Sequence, residues 1–172
     1  MTITLSHITH RALAIYALGG PGAIIRDYYE RDADIQRPAF ESPEPITEEN
    51  FVDHLGDEKY VTIPPCRSAH SYLKHPSFYQ GYVTFFSNQV SEKGAARTLE
   101  EFVFSEKYNF QKGRDANAQP EFLARLFDGI VHPLIHVGYG VEFGLKGMFV
   151  EGTSCDTLHR TSTLSLVFKV LL

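Results

Sequence analysis

Hydrophobic residues recur at helical spacing along most of this chain. Near the amino terminus they predict a helix over Ser6–Leu18, which a Gly-Gly-Pro sequence then ends. A second amphipathic helix is predicted over Ala23–Ala33, where charged residues separate the apolar ones. Thr47 and the acidic residues after it are typical of a helix start, and this third helix is predicted to end at Gly56.

The rest of the chain continues the helical pattern with one exception. Tyr60–Cys66 contains the β-branched residues of a strand, although its prolines favour a connecting segment. The aromatic stripe of Tyr72–Val90 predicts a long helix, and the polar segment Lys107–Gln119 predicts an exposed loop. Pro120–Val150 predicts almost continuous helix, with glycines of the kind that persist where a neighbouring helix or ligand comes close. The predicted fold class is all-α, a multi-helix bundle.

Charge and composition indicate which classes of binding partner are not expected. The 172 residues carry a net charge of −5 with scattered lysines and arginines, so no basic surface is predicted for nucleic acid. No apolar run is long enough to span a bilayer, so no membrane partner is expected. Cys66 and Cys155 lie far apart with no secretory leader before them, which predicts two free thiols and a cytoplasmic location.

Four of the eight histidines form two close pairs. His7 and His10 are three residues apart, and His132 and His136 are four apart, so each pair lies on one face of a helix. Helical bundles build internal metal sites from such inward-facing pairs. Imidazole suits iron, zinc, copper or nickel, and iron best fits oxygen chemistry. The pattern predicts a metal site made of the two pairs.

Other interpretations of these histidines stay open. Residues near a terminus are often solvated, which would leave His7 and His10 without a function. His132 and His136 lie among apolar residues, where a buried histidine commonly only forms a hydrogen bond with a backbone carbonyl.

Two further residues on the same segment are predicted to bind substrate. Tyr139 lies on nearly the same side of the helix as His132, so its hydroxyl could hold a substrate oxygen; an aromatic core residue is the alternative. Glu142 is an acid within an apolar helix, which indicates a functional or paired carboxylate, or a residue exposed beyond the packed stripe. No nucleotide-binding motif is present.

The segment HPLIHVGYGVEFGLKGMFVEG, His132–Gly152, resembles the signature of the questin oxidase-like family of fungal secondary metabolism. Shorter segments resemble the family in the same order upstream: HITHRALAIYALGG, IQRPA, LGDEKYVTI and GYVTFFSNQV. The resemblance covers about residues 5–152.

This resemblance implies an oxygenase that opens or modifies a ring of an anthraquinone-like or related aromatic polyketide. Some relatives are described as Baeyer–Villiger-like and linked to NADPH. The resemblance also implies a non-haem iron, which would be carried here by His7, His10, His132 and His136. The chain would then be the amino-terminal portion of a larger helical oxidase fold.

Residues 153–172 do not resemble the continuation of the family. The pattern therefore predicts an incomplete oxidase region over 1–152, followed by an atypical tail over 153–172. A truncated bundle leaves apolar surface uncovered, so a second hypothesis is a non-catalytic relative that binds an aromatic ligand or a partner, or that oligomerises or aggregates. A third hypothesis is a structural zinc-binding helical domain.

Overall fold

In the part of the chain that the structure describes, six α-helices and one pair of strands make up most of the fold. The computed structural model describes residues 7–33, 41–62, 72–76, 78–128, 131–155 and 157. The elements in chain order are α1 (His7–Ala17), α2 (Gly22–Ala33), β1 (Glu58–Thr62), β2 (Tyr72–Pro76), α3 (Tyr79–Thr98), α4 (Phe122–Leu126), α5 (His132–Glu142) and α6 (Lys146–Cys155). A π-helical turn over Leu99–Val103 and a 3-10 turn over Glu106–Tyr108 follow α3.

The first two helices agree with the sequence pattern, and the all-α prediction is confirmed for the helical character of the fold. The exception is a short antiparallel sheet in which β1 pairs with β2 and Tyr60 lies opposite Lys74. The prediction of a connecting segment is therefore wrong for the part of Tyr60–Cys66 that the structure describes. The predicted helix over Tyr72–Val90 instead begins at Tyr79, after β2, and continues to Thr98.

The prediction of a helix from Thr47 to Gly56 is wrong. This segment forms successive turns, in which the Asp53 backbone N–H donates to the carbonyl of Asn50 at 3.1 Å. The Thr47 backbone N–H donates to Oδ1 of Asn50 at 2.7 Å. Such local side-chain bonds give the backbone an alternative to a helix, so a cap-like sequence does not guarantee that a helix follows.

Pro120–Val150 divides into α4, α5 and the first part of α6 instead of one continuous helix. The break between α5 and α6 lies at Gly144, whose φ of 65° is favourable for glycine. Beside it, the Leu145 N–H donates to the carbonyl of Gly140 at 2.8 Å. This arrangement is a common helix ending, in which a glycine in the left-handed conformation lets the following backbone N–H groups form hydrogen bonds with the last carbonyls of the helix. It turns α6 back against α5.

The core is an aromatic cluster centred on Phe51, which has no exposed surface. Its ring centroid lies between 5.0 and 5.8 Å from those of six neighbours: Tyr82, Phe85, Phe86, Phe102, Tyr108 and Phe122. The Tyr82 hydroxyl donates to the backbone carbonyl of Phe51 at 2.6 Å. Burial raises the pKa of Tyr82 far above its ordinary value, so the phenol stays neutral and remains a donor.

Helices α5 and α6 approach closely at two glycines. A Cβ atom on Gly140 would lie 2.5 Å from the backbone nitrogen of Phe149, and one on Gly152 would lie 2.7 Å from that of Val137. The prediction that glycines mark a close neighbour is thus confirmed at these two positions. At Gly138 and Gly147 a Cβ atom would meet nothing within 4 Å.

Gly140→Ala is expected to lower the free energy of unfolding by about 1–3 kcal/mol, because the backbone of α6 has to move away from the new methyl group. Urea denaturation followed by far-UV circular dichroism measures this change. Gly138→Ala is the matched control on the same helix, and it should raise stability by about 0.5–1 kcal/mol. Equal effects of the two substitutions would contradict the close approach of α5 and α6.

Cys155 is buried on α6, whereas Cys66 lies outside the described residues. That both cysteines are free thiols stays a prediction. Within the described part of the chain, no helix has both the length and the apolar character that crossing a membrane requires.

Candidate functional site

Three of the four predicted metal-binding histidines lie side by side. His10 is on α1, and His132 and His136 are on α5. Nδ1 of His10 lies 3.2 Å from Nε2 of His136. The ring centroid of His10 is 5.3 Å from that of His136 and 5.8 Å from that of His132. His7 is the first residue of α1, but its side chain is not among those that the structure describes.

Helix α1 brings His10 to this place by running alongside α5 in the same direction. His10 contacts the start of α5, and further along the Tyr16 ring packs against that of Phe143 with centroids 6.3 Å apart. Helix α1 is also tied to α2, because Nη1 of Arg11 contacts the buried Asp32 carboxylate at 2.7 Å. The residue next to His10 therefore anchors the helix that carries it.

The start of α5 is fixed by its local sequence. Pro133 stands in the first turn of the helix, where its fixed φ is favourable and its missing N–H is not needed. The residue just before His132 is Val131, whose φ of 55° is a strained conformation for a β-branched side chain. Strained backbone often occurs next to functional residues.

His136 is the most deeply buried member of the cluster, with 0% of its surface exposed. Among the residues that the structure describes, its Nδ1 atom has no hydrogen-bond partner. The nearest described carboxylate is that of Glu151 on α6, whose Oε2 lies 3.7 Å from this nitrogen. That separation is beyond the ordinary hydrogen-bond distance.

Glu151 also lies near Tyr79, the first residue of α3. Burial raises the pKa of Tyr79 far above its ordinary value, and the neighbouring Cys155 and Glu151 raise it further. Sequence reasoning missed both Glu151 and Tyr79. The available signal was that Glu151 is the one acid in the sequence of α6, KGMFVEGTSC.

The two predicted substrate-binding residues lie further along α5. Tyr139 is half-buried, and its ring contacts that of Phe143 with centroids 5.8 Å apart. Together with Tyr16, these residues form an aromatic surface beyond the histidines. Glu142 is exposed at the last residue of α5, so surface exposure, one of its predicted alternatives, describes its position. Substrate binding by Tyr139 and Glu142 stays a prediction.

The histidine cluster fits a metal ion in part. Nitrogen ligands about 2.0–2.1 Å from one ion lie roughly 3 Å apart, which the 3.2 Å separation of His10 and His136 matches. A separation of 3.2 Å is also that of a direct hydrogen bond between the two imidazole rings. Among the described residues, however, no group of three or more His, Cys, Asp or Glu side chains is arranged to hold a metal ion. The described side chains therefore provide two imidazole nitrogens at the spacing of ligands on one ion, with a third imidazole beside them.

Comparison of the sequence with those of known proteins identifies the family. Residues 5–62 and 66–169 match the questin oxidase-like family, which is most of the chain. The chain belongs to this family. The match continues to residue 169, so the boundary that the sequence pattern predicts at residue 152 does not mark the end of the family-like sequence.

Several fungal family members are similar to the chain over nearly its whole length. It is 28% identical over 164 residues to the Baeyer-Villiger oxidase AgnL3 of Paecilomyces divaricatus, covering 95% of this chain and 31% of that protein. It is 31% identical over 154 residues to the questin oxidase of Aspergillus terreus, covering 90% of this chain and 30% of that protein. It is 31% identical over 163 residues to the Baeyer-Villiger oxidase ptaJ of Pestalotiopsis fici, covering 95% of this chain and 32% of that protein. The chain thus spans about a third of the length of these relatives.

Proposed function

We propose that this chain forms part of an oxidase of fungal secondary metabolism that inserts oxygen into a ring of an aromatic polyketide of the anthraquinone class. The observation that carries the proposal is the 3.2 Å contact between His10 and His136, which are 126 residues apart in sequence. Membership of a family that includes named questin and Baeyer-Villiger oxidases supports the type of reaction. The proposed location is the cytoplasm, where NADPH is available.

The proposed cofactor is a non-haem iron held by His10, His132 and His136, with His7 as a further ligand. Imidazole nitrogens are common ligands of iron in oxygenases, and the spacing of His10 and His136 is that of two ligands on one ion. When bound, the iron would supply activation of dioxygen. Burial of His136 keeps water away from its ring, and the anchoring of α1 by Arg11 keeps His10 in place.

The aromatic surface beside the histidines is the proposed place of the substrate. Tyr16, Tyr139 and Phe143 lie further along the same two helices, and the Tyr16 side chain is largely exposed. Flat fused rings pack favourably against such aromatic side chains. The Tyr139 hydroxyl can form a hydrogen bond with a substrate oxygen. These residues would orient the ring while the histidine cluster holds the reacting centre.

The overall reaction accounts for both atoms of dioxygen. One oxygen atom enters between a ring carbonyl carbon and its neighbouring carbon, which opens that carbon–carbon bond. The other oxygen atom leaves as water after it receives two electrons and two protons. NADPH is the proposed source of the hydride, on the basis of the family resemblance.

The experiment is to measure oxygen uptake by the iron-loaded chain with NADPH and an anthraquinone or its hydroquinone. We expect one dioxygen to be consumed for each NADPH, and a product that mass spectrometry shows to have gained one oxygen atom. Folded, iron-loaded protein that binds the anthraquinone but consumes no oxygen would contradict the oxygenase proposal.

A non-catalytic relative that binds an aromatic ligand or a partner is the second candidate. Exposed apolar residues near the ends of α1 and α5 favour it, with Leu18 88% exposed and Val141 58% exposed. Surfaces of this kind often bind ligands or other proteins, or lead to association. The oxygen measurement distinguishes the two candidates, because this one predicts binding without turnover. Absorption spectroscopy of the native metal would distinguish iron from a structural zinc.

A further inference from the structure

The buried nitrogen of His136 needs a partner. A neutral imidazole carries one proton, on either Nδ1 or Nε2, and the other nitrogen accepts a hydrogen bond. Nε2 of His136 lies 3.2 Å from Nδ1 of His10, whereas Nδ1 of His136 is fully buried and has no hydrogen-bond partner within the described part of the chain. Leaving a buried polar group unpaired is unfavourable, so a small adjustment that pairs it lowers the free energy.

Glu151 is placed to make that adjustment. Its Oε2 is 3.7 Å from Nδ1 of His136, about 0.8 Å beyond an ordinary hydrogen bond. The Glu151 side chain keeps 23% of its surface exposed, so it has room to rotate, whereas His136 has none. Rotation of the carboxylate therefore closes the gap more easily than movement of the ring.

The backbone contact of α5 with α6 keeps Glu151 opposite His136. Gly140 lies against Phe149, and Gly152, the neighbour of Glu151, lies against Val137, the neighbour of His136. These two close backbone contacts, at residues near Glu151 and His136, limit how far α6 can slide along α5. The position of the carboxylate is thus set by backbone packing.

We propose that Glu151 is a positioning residue whose carboxylate accepts a hydrogen bond from Nδ1–H of His136 and thereby determines the tautomers of both contacting histidines. With the proton on Nδ1, Nε2 of His136 has a lone pair, and the hydrogen bond across the pair runs from Nδ1–H of His10 to this atom. A carboxylate bonded to the far nitrogen of a ligand histidine orients the ring and makes the near nitrogen more basic. This inference rests on the proposed function, because Nε2 of His136 is then the nitrogen that would bind the iron.

Nuclear magnetic resonance tests the tautomer directly. The full chain is labelled with 15N-histidine and kept free of metal with a chelator, and His136 is assigned by comparison with His136→Gln. In wild-type protein at a pH where the ring is neutral, we expect the proton on Nδ1 and the unprotonated 15N resonance from Nε2. A wild-type ring with its proton on Nε2 would overturn the proposal without any need for a variant of Glu151.

Substitutions at Glu151 then test the cause. Glu151→Met removes the acceptor but keeps the length of the side chain, so the proton is expected to move to Nε2 of His136. Glu151→Gln keeps a carbonyl oxygen that can accept, so it should retain the Nδ1 proton at least in part. The control is Glu92→Met on α3, where the exposed carboxylate should have no effect on the His136 tautomer. If Glu151→Met is folded and leaves the proton on Nδ1, the proposed role is wrong.

Measurement of oxygen uptake distinguishes failure of the Glu151 proposal from failure of the proposed function. Glu151→Met is expected to lower oxygen uptake about 10–100-fold, and Glu151→Gln should restore part of it. If His136→Ala abolishes oxygen uptake but the tautomer does not depend on Glu151, the positioning role fails and the oxidase proposal stands. If the tautomer depends on Glu151 but the folded, iron-loaded wild-type chain consumes no oxygen, the oxidase proposal fails and the structural pairing stands.

Discussion

Replacing His136 by alanine is expected to lower bound iron from near-stoichiometric to background and to reduce oxygen uptake about 100-fold or more. His136 provides the buried nitrogen that contacts His10, so its loss removes one of the two proposed ligands whose spacing suits a single ion. The double substitution His132→Ala with His136→Ala should leave no iron at all. Elemental analysis after anaerobic loading with iron(II) measures the bound metal, and circular dichroism confirms that each variant is folded.

The matched control is His54→Gln. His54 also lies near carboxylates, with Nε2 at 3.2 Å from Glu44 and Nδ1 at 3.2 Å from Asp57, but it belongs to a different part of the fold. It should retain iron and oxygen uptake at wild-type levels. If His136→Ala folds and still binds iron as well as this control, the histidine cluster is not the metal centre.

Phe51→Ala is expected to lower the free energy of unfolding by about 3–5 kcal/mol. The Phe51 ring is fully buried and contacts six other aromatic rings, so its removal leaves a cavity bounded by residues of several elements. Domains of this size are commonly stable by only about 5–15 kcal/mol, so the loss is a large share of the total. The midpoint of urea denaturation, followed by far-UV circular dichroism, measures it.

Phe104→Ala provides the comparison for this prediction. The Phe104 side chain is 60% exposed, and its truncation should change stability by no more than about 0.5 kcal/mol. Phe51→Leu should lie between the two, since leucine fills part of the space. Similar midpoints for Phe51→Ala and Phe104→Ala would show that Phe51 is not at the centre of the core.

Local sequence signals predicted the parts of the fold that local interactions determine. The helical period and the Gly-Gly-Pro stop place α1 and α2 correctly. The segment from Thr47 to Gly56 has an equally good local signal, but there Phe51 is drawn into a core formed by residues distant in sequence. Burial of that ring and the turns around Asn50 outweigh the modest helix preference of the segment.

The same distinction applies to the candidate site. Residue spacing correctly places His132 and His136 within one helix, but it contains no information about which other helix faces them. An acid in an apolar helix was a useful signal, yet it selected Glu142, which is exposed at a helix end, and missed Glu151, which faces His136. Glu151 lies one residue beyond the predicted helix over Pro120–Val150, and it is the turn at Gly144 that brings α6 and this carboxylate back towards His136.

The contact between His10 and His136 also determines when the site can assemble during synthesis. At about 5–20 residues per second, the ribosome needs on the order of ten seconds to make the 126 residues that separate them. Helix α1 emerges first and can pair early with α2, which is close in sequence. We therefore expect His10 to lie on a helical hairpin before α5 has been translated, and a nascent chain that stops before residue 132 contains one of the three described histidines of the cluster.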